Sequence, residues 1–240
     1  MNNHVATHAP ASGHSNTVGV LLSGGLDSCI LVATLLRASR QVQPFYVRTD
    51  VIWAAAEYNA IRRFLAAIDS PTLEDLVVFD LPLADLYGDH WSISGRQVPD
   101  EHSADAAVYL PGRNALLALK PLLWCHSQGV RELALAVLAG NPFADAQPAF
   151  LTAFSQSLAL SDGGAAVNIT RPFAQLSKRD VLALGRDLPL ELAFSCLSPR
   201  DGQHCGRCNK CGERQTAFAA LGLADPTVYA AAIQSTHPRN

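Results

Sequence analysis

Short apolar runs alternate with stretches of helical periodicity along most of the chain. Thr17–Leu22 is a run of the length of a buried strand, and Asp27–Ser39 then carries Ile30, Leu31, Ala33 and Leu35 at helical spacing. Val42–Val47 predicts a second strand. Ile52–Ile68 predicts a second helix, with Trp53, Ala56, Ala60, Ile61, Phe64, Leu65 and Ile68 on one face, and Leu76–Leu83 a third strand. After an interruption the pattern resumes with a helix over Ala115–Ser127, a fourth strand over Glu132–Ala139, and a helix over Pro148–Leu160 opened by its proline. A fifth strand over Val167–Thr170 and a helix over Ser177–Leu188 follow; Ser177 is the expected N-cap and Asp180 its capping-box partner. Glu213–Leu221 predicts a final helix. This alternation implies βαβ crossovers and an α/β fold: a doubly wound, mostly parallel five-stranded sheet of Rossmann-like type, with a small C-terminal metal-binding subdomain. The expected division is a polar tail at 1–16, a main domain at 17–190, and a cysteine segment with its helix at 191–240.

Three stretches break the rhythm. Residues 84–109 are rich in Gly, Asp, His and Ser, with Tyr87 and Trp91 as isolated aromatics. A long irregular excursion in a compact domain is more often functional than neutral, so it is read as part of a substrate mouth or a dimer contact. The second is Ser23-Gly24-Gly25-Leu26-Asp27-Ser28, which sits between the first strand and the first helix. Paired glycines turn the backbone tightly and let it approach a ligand. Two hydroxyls and the free N–H groups of a helix start point into the same space, so the stretch reads as a phosphate cradle. It fits neither GxxxxGK[ST] nor GxGxxG.

The third is Cys196-x8-Cys205-Gly206-Arg207-Cys208-Asn209-Lys210-Cys211, four of the chain's six cysteines within sixteen residues. Two overlapping C-x-x-C hooks, closed by Cys196, describe a structural zinc site with no open position; an iron–sulfur cluster and plain buried or redox cysteines are the alternatives. Arg207 and Lys210 would offset the negative charge of four thiolates. Such crowding indicates a reducing, cytoplasmic setting rather than a disulfide framework. Cys29 and Cys125 fall on helix apolar faces and are read as core.

Composition narrows the classes. With 240 residues, 49% hydrophobic and 16% charged, the chain can bury a sizeable core without staples. Its net charge of -3 leaves no electrostatic footprint for nucleic acid or an anionic membrane. No apolar segment approaches the roughly 20 residues of a membrane span. Residues 1–16 lack the layout of a secretory signal and are expected to fray.

The loop Ser23–Ser28 resembles the SGGxDS pyrophosphate loop of the PP-loop ATP pyrophosphatases, which cleave ATP to AMP and pyrophosphate. Together with Leu110-Pro111-Gly112-Arg113-Asn114 and the cysteine block running on to Glu213-Arg214, it makes the chain similar to the 7-cyano-7-deazaguanine synthase family from about Val18 to Phe218. The resemblance implies ATP-dependent conversion of 7-carboxy-7-deazaguanine with ammonia to the amide and then to the nitrile. It implies ATP and Mg²⁺ as cofactors beside the zinc of Cys196, Cys205, Cys208 and Cys211, and a homodimer. Ser23, Gly24, Gly25, Leu26, Asp27 and Ser28 would bind the pyrophosphate, with Asp27 holding Mg²⁺. Lys178 and Arg214 would act on the phosphates, Arg113 and Asn114 would contact nucleotide or substrate, and Asp145 would border the acceptor.

Two loops depart from the family pattern. After the second strand the family carries Tyr-Gly-Gln-Arg-His; this chain has Tyr46-Val47-Arg48-Thr49-Asp50-Val51. After the fourth strand the family's Ser-Gly-Tyr-Pro-Asp-Cys-Arg-Pro-Glu-Phe becomes Asn141-Pro142-Phe143-Ala144-Asp145-Ala146-Gln147-Pro148-Ala149-Phe150. Ligands of open parallel sheets bind at these strand ends. The departures leave open a different acceptor (RNA, a protein terminus or another carboxylate), or a zinc-stabilised nucleotide-binding module without catalysis.

Overall fold

A computed structural model describes residues 16–161 and 163–230. The expected polar tail therefore lies outside the described residues, except for Asn16. Five parallel strands form one sheet in the order β3-β2-β1-β4-β5: β1 (Thr17–Leu21), β2 (Gln41–Arg48), β3 (Val77–Asp80), β4 (Glu132–Ala134) and β5 (Asn168–Thr170). The winding reverses between β1 and β4, which leaves a crevice at their carboxyl ends.

Alternation along the strands sorts the core into two layers. Val18 and Val20 of β1 and Val42 and Tyr46 of β2 point to one face, where they meet α1 (Leu26–Arg37), α2 (Ala54–Ala67) and α7 (Lys178–Leu184). Phe45 and Leu133 point to the other, against α5 (Arg113–Gln128) and α6 (Pro148–Leu160). Ala217 and Phe218 of α8 (Asn209–Ala220) join the first layer, beside Leu190 and Ala193. Cys29 and Cys125 are both fully buried in these layers. Gly19 lies at the centre of β1, where a Cβ would come within 2.7 Å of the Phe45 ring and 3.0 Å of Cys125 Sγ. The missing side chain is what lets Phe45 fill the middle of the second layer.

Several boundaries differ from the periodic reading, each for a local reason. The third strand stops at Asp80 rather than Leu83. The Asp50 carboxylate accepts the N–H groups of Leu83 (2.8 Å) and Ala84 (3.0 Å), which turns the chain into α3 (Ala84–Tyr87). β4 ends at Ala134 rather than Ala139; Leu135 makes one last bond to Thr170 O (2.9 Å), and Leu135, Ala136 and Val137 border the crevice. α7 ends at Leu184 rather than Leu188: Gly185 is its C-cap, with its N–H turned to Leu182 O at 3.1 Å, and it packs so closely on α1 that a Cβ would strike Ile30 at 2.5 Å. The Ser177–Asp180 capping box forms as expected. The last helix starts at Asn209 rather than Glu213, with Cys208 as its N-cap and Cys211 in its first turn.

The excursion 84–109 contains α3, α4 (Trp91–Ser94) and a 3₁₀ turn at Asp105–Val108. It docks on the cysteine segment: Glu101 N–H donates to Arg207 O (3.0 Å), Asn209 N–H to Pro99 O (2.9 Å), and Asn209 Nδ2 to Ser103 O (2.9 Å). No helix among the described residues is long and apolar enough to cross a membrane.

Gly19→Ala is expected to destabilise the fold by about 1–3 kcal/mol through overpacking. Urea denaturation should show a lower midpoint with an unchanged slope; an unchanged midpoint would mean that Phe45 repacks without cost.

Candidate active site and metal centre

The crevice opens as a cleft of about 290 Å³ above the switch point. Its floor is the turn that ends β1. Gly24 has φ +76°, and a Cβ there would press on Ile61 (3.1 Å) and on the carbonyl oxygen of Glu57 (3.2 Å), so the loop can pass under α2 only with glycine. Ser28 Oγ donates to Gly25 O (3.2 Å) and lies 3.2 Å from both Ser23 N and Ser23 Oγ. The two hydroxyls thus brace the turn and line the cleft with Gly25, Leu26 and Asp27. Phe194 N–H donates to Gly24 O at 2.7 Å, which ties the segment leading into the cysteines to the back of the loop. Gly24 itself faces α2 and stands behind the cleft wall.

Beside the loop stands a chain of alternating charges. Lys178 Nζ lies 2.8 Å from Asp27 Oδ2 and 2.8 Å from Glu213 Oε1, and Lys210 pairs with Glu213 Oε2. Burial opposes the Lys178 charge, but the two carboxylates outweigh it and push the ammonium up to about 12. Burial likewise works against Glu213, and the two lysines overcome it and hold its carboxyl down at about 2. Asp27 Oδ1 is buried without a hydrogen-bond partner, an orphaned acceptor at the start of α1.

The opposite wall comes from β2, α2 and the start of α5. Asp145 is buried and accepts from Asn114 N (3.0 Å) and Asn114 Nδ2 (2.9 Å). It therefore lies behind Asn114 and fixes the helix start from which Arg113 and Asn114 face the cleft. Glu57 projects from α2 into the cleft, half-buried. Burial pushes its carboxyl up to about 7, against the opposing pull of the Arg113 guanidinium and the Tyr46 hydroxyl. Trp53 forms the adjoining wall and stacks on Trp91 of the excursion at 5.6 Å.

The four cysteines Cys196, Cys205, Cys208 and Cys211 are buried, with all their sulfurs within 4.8 Å of one another. Sulfur separations of 3.9 Å occur between Cys205 and Cys211 and between Cys208 and Cys196. Backbone N–H groups point at the sulfurs: Leu197 donates to Cys208, Ser198 and Cys205 to Cys196, and Arg207 and Cys208 to Cys205, at 3.2–3.4 Å. Such a donor set stabilises thiolates, and the group can hold a metal ion. His204 stands outside it, with Nε2 accepting from Ser195 N (3.1 Å); burial and the Arg214 charge push its imidazole down to about 4 and keep it neutral.

Arg214 borders the cleft but is almost fully buried. Its guanidinium donates to Leu190 O (2.7 Å), Ala193 O (3.4 Å), Asp225 and Thr227, and lies over the Phe218 ring.

The cleft thus brings together Ser23, Gly25, Leu26, Asp27, Ser28, Arg113, Asn114, Lys178, Arg214 and Cys196. It also includes Tyr46, Trp53, Glu57, Lys210 and Glu213, to which the sequence reading assigned no role in binding. Glu57 did carry a signal: an acid four residues after Trp53 and four before Ile61 falls inside the apolar stripe of its helix.

The Glu213 carboxyl is held below its ordinary 4.5. Its contribution to stability is full above about pH 4.5 and is lost as pH falls toward about 2. The stability advantage of the wild type over Lys178→Met is therefore expected to shrink across that window. Acid titration followed by circular dichroism checks this; a pH-independent difference would contradict the charge chain.

The sequence comparisons with known proteins fall on one family. Residues 17–222 match the sequence model described as queuosine biosynthesis protein QueC. A 7-cyano-7-deazaguanine synthase of Thiobacillus denitrificans is 34% identical over 224 residues, 88% of this chain and 97% of its own length. One of Azoarcus sp. is 33% identical over 226 residues, 88% of this chain and 96% of its own. Among solved structures, the NMN synthetase of Francisella tularensis aligns with 88% of this chain and 79% of its own, at 13% identity and a TM-score of 0.46. A match over nearly the whole described chain, carried by relatives of almost equal length, places this protein in the queuosine biosynthesis protein QueC family.

Proposed function

We propose that this chain is an ATP-dependent 7-cyano-7-deazaguanine synthase, which adenylates the carboxylate of 7-carboxy-7-deazaguanine and converts it with ammonia to the amide and then to the nitrile. A carboxylate resists attack because its leaving group would be oxide. Transfer to the α-phosphate of ATP replaces that leaving group with AMP, and pyrophosphate departs into the loop at Ser23–Ser28. The amide oxygen can be activated in the same way, so one loop serves both rounds. The observation that carries the reading is the meeting, in one cleft, of a braced hydroxyl loop at a helix start with Asp27 and Lys178.

The roles follow from placement. The hydroxyls of Ser23 and Ser28 and the first N–H groups of α1 bind pyrophosphate. The orphaned Oδ1 of Asp27 fits the Mg²⁺ that accompanies ATP, which would neutralise phosphate charge. Lys178, held between two carboxylates, supplies an ammonium to the phosphate oxygens. Arg214 acts from behind the wall through its charge, since its donors are already committed. Asp145 presents Arg113 and Asn114 to nucleotide and acceptor. Zinc suits the cysteine site: metal–sulfur bonds of about 2.3 Å span tetrahedral edges of about 3.8 Å, close to the 3.9 Å separations. Its role is structural, since four thiolates leave no open position.

Incubation with ATP, Mg²⁺, ammonium and 7-carboxy-7-deazaguanine is expected to yield AMP, pyrophosphate and the nitrile. Ser23→Ala and Asp27→Ala should each lower turnover by about 10²-fold or more. Turnover with another acceptor and none with this carboxylate would overturn the reading. Metal analysis should find one zinc per chain, lost in Cys208→Ser; iron in its place would overturn the zinc assignment.

A further inference from the structure

We propose that Glu57 is the proton acceptor for the nitrogen chemistry, taking an N–H proton as the amide forms and another as the nitrile forms. This rests on the substrate reading above. Both rounds need such a group. When ammonia attacks the acyl-adenylate, its nitrogen bonds to the acyl carbon and acquires a positive charge. One proton passes to the Glu57 carboxylate, the carbon–oxygen bond breaks, and AMP leaves with the electron pair. In the second round adenylation of the amide oxygen leaves the nitrogen positively charged, and one N–H proton passes to water, giving a neutral imidate. Its remaining N–H proton goes to Glu57 as the carbon–oxygen bond breaks, AMP departs with the electron pair and the carbon–nitrogen triple bond closes. After each round the protonated carboxyl returns its proton to water.

The geometry singles out this residue. The backbone of α2 at Glu57 lies against Gly24, so its side chain starts beside the phosphate loop and reaches into the same cleft. The Tyr46 hydroxyl lies 3.0 Å from the Ala54 carbonyl oxygen and 3.3 Å from Glu57 Oε2. That hydroxyl has one proton. When it donates to Ala54, its lone pairs face a protonated Glu57; when Glu57 is ionised, the same proton can turn to the carboxylate. The pair is built to hold an added proton and to release it. The other acids of the cleft, Asp27 and Glu213, are committed to Lys178. The titratable and charged groups facing Glu57 are Tyr46 from β2 and Arg113 from α5, with Trp53 at the start of its own helix. Burial brings the carboxyl to about 7, where a base is effective at neutral pH.

Glu57→Gln tests the inference in two half-reactions. Pyrophosphate–ATP exchange driven by 7-carboxy-7-deazaguanine reports adenylation alone and requires a folded cleft. The expected result is exchange near the wild-type rate in Glu57→Gln, with amide and nitrile formation reduced by about 10²–10⁴-fold and partial recovery in Glu57→Asp. At a fixed concentration of free ammonia, the wild-type rate of nitrogen transfer should rise with pH up to about 7 and then level off, as the carboxyl ionises, and this limb should vanish in the glutamine variant. Three results would overturn the proposal. Unchanged nitrile formation removes the base. Exchange lost in the variant, with a raised KM for the carboxylate, makes Glu57 a substrate-binding group instead. Exchange absent from the wild type itself defeats the substrate reading and this inference with it.

Discussion

Lys178 is the residue on which the cleft depends. Asp27 at the start of α1 and Glu213 on α8 come from distant parts of the chain, and both turn a carboxylate toward the same small space. Left alone, two half-buried acids at that distance would repel and resist desolvation. The ammonium between them converts repulsion into a bridge, and Lys210 closes its outer end. The arrangement contributes little net stability by itself, since burying charges costs nearly what their attraction returns. Its effect is on geometry: α1, α7 and α8 can meet around the loop Ser23–Ser28 only in the register that satisfies all four charges.

The cysteine segment serves the same end. Cys208 caps α8 and Cys211 lies in its first turn, so the sulfur cluster sets where that helix begins. Lys210, between those two cysteines, and Glu213, two residues after the second, are thereby carried into the cleft. Upstream of the hooks, Phe194 holds the Gly24 carbonyl. The segment thus grips the loop Ser23–Ser28 from behind through a backbone bond and from the side through a charge chain. A helix with polar residues through its first turn would be marginal alone; the sulfur cluster makes it rigid enough to hold a lysine and a glutamate in place.

What was legible in the sequence divides along physical lines. Strand and helix order, the capping box at Ser177 and Asp180, and the core positions of Cys29 and Cys125 follow from local chemistry, and the periodicities expose them directly. The loop Ser23–Ser28 and the cysteine hooks were equally plain as candidates, because each packs its chemistry into a few consecutive residues, and the structure sets the two hydroxyls on the cleft and gathers the four sulfurs. Element ends were less so. Asp50 stops β3 from thirty residues away, and α7 stops where Gly185 meets Ile30, contacts that no window along the chain contains. Glu213 was visible beside Arg214, but its partners proved to be Lys178 and Lys210, while Arg214 turns to Asp225. Partner choice among neighbouring charges is a tertiary matter.

The loop that departs most from the family pattern has a structural use. Within Arg48–Trp53, Arg48 pairs with Asp80, Asp50 caps the turn into α3, the Ile52 N–H donates to Ser92 O at 2.9 Å, and Trp53 stacks on Trp91. Each of these contacts reaches β3 or the excursion 84–109. The same excursion bonds on its far side to the cysteine segment through Pro99, Glu101 and Ser103. One wall of the cleft is therefore strung between a divergent loop and the sulfur cluster. A change in that loop alters how the excursion docks, and with it the space between Trp53 and Arg113. The loop Ser23–Ser28 on the opposite side shares none of these contacts and is held by its own hydroxyls and by the Phe194 N–H, so the wall at Trp53 can vary while that loop keeps its shape.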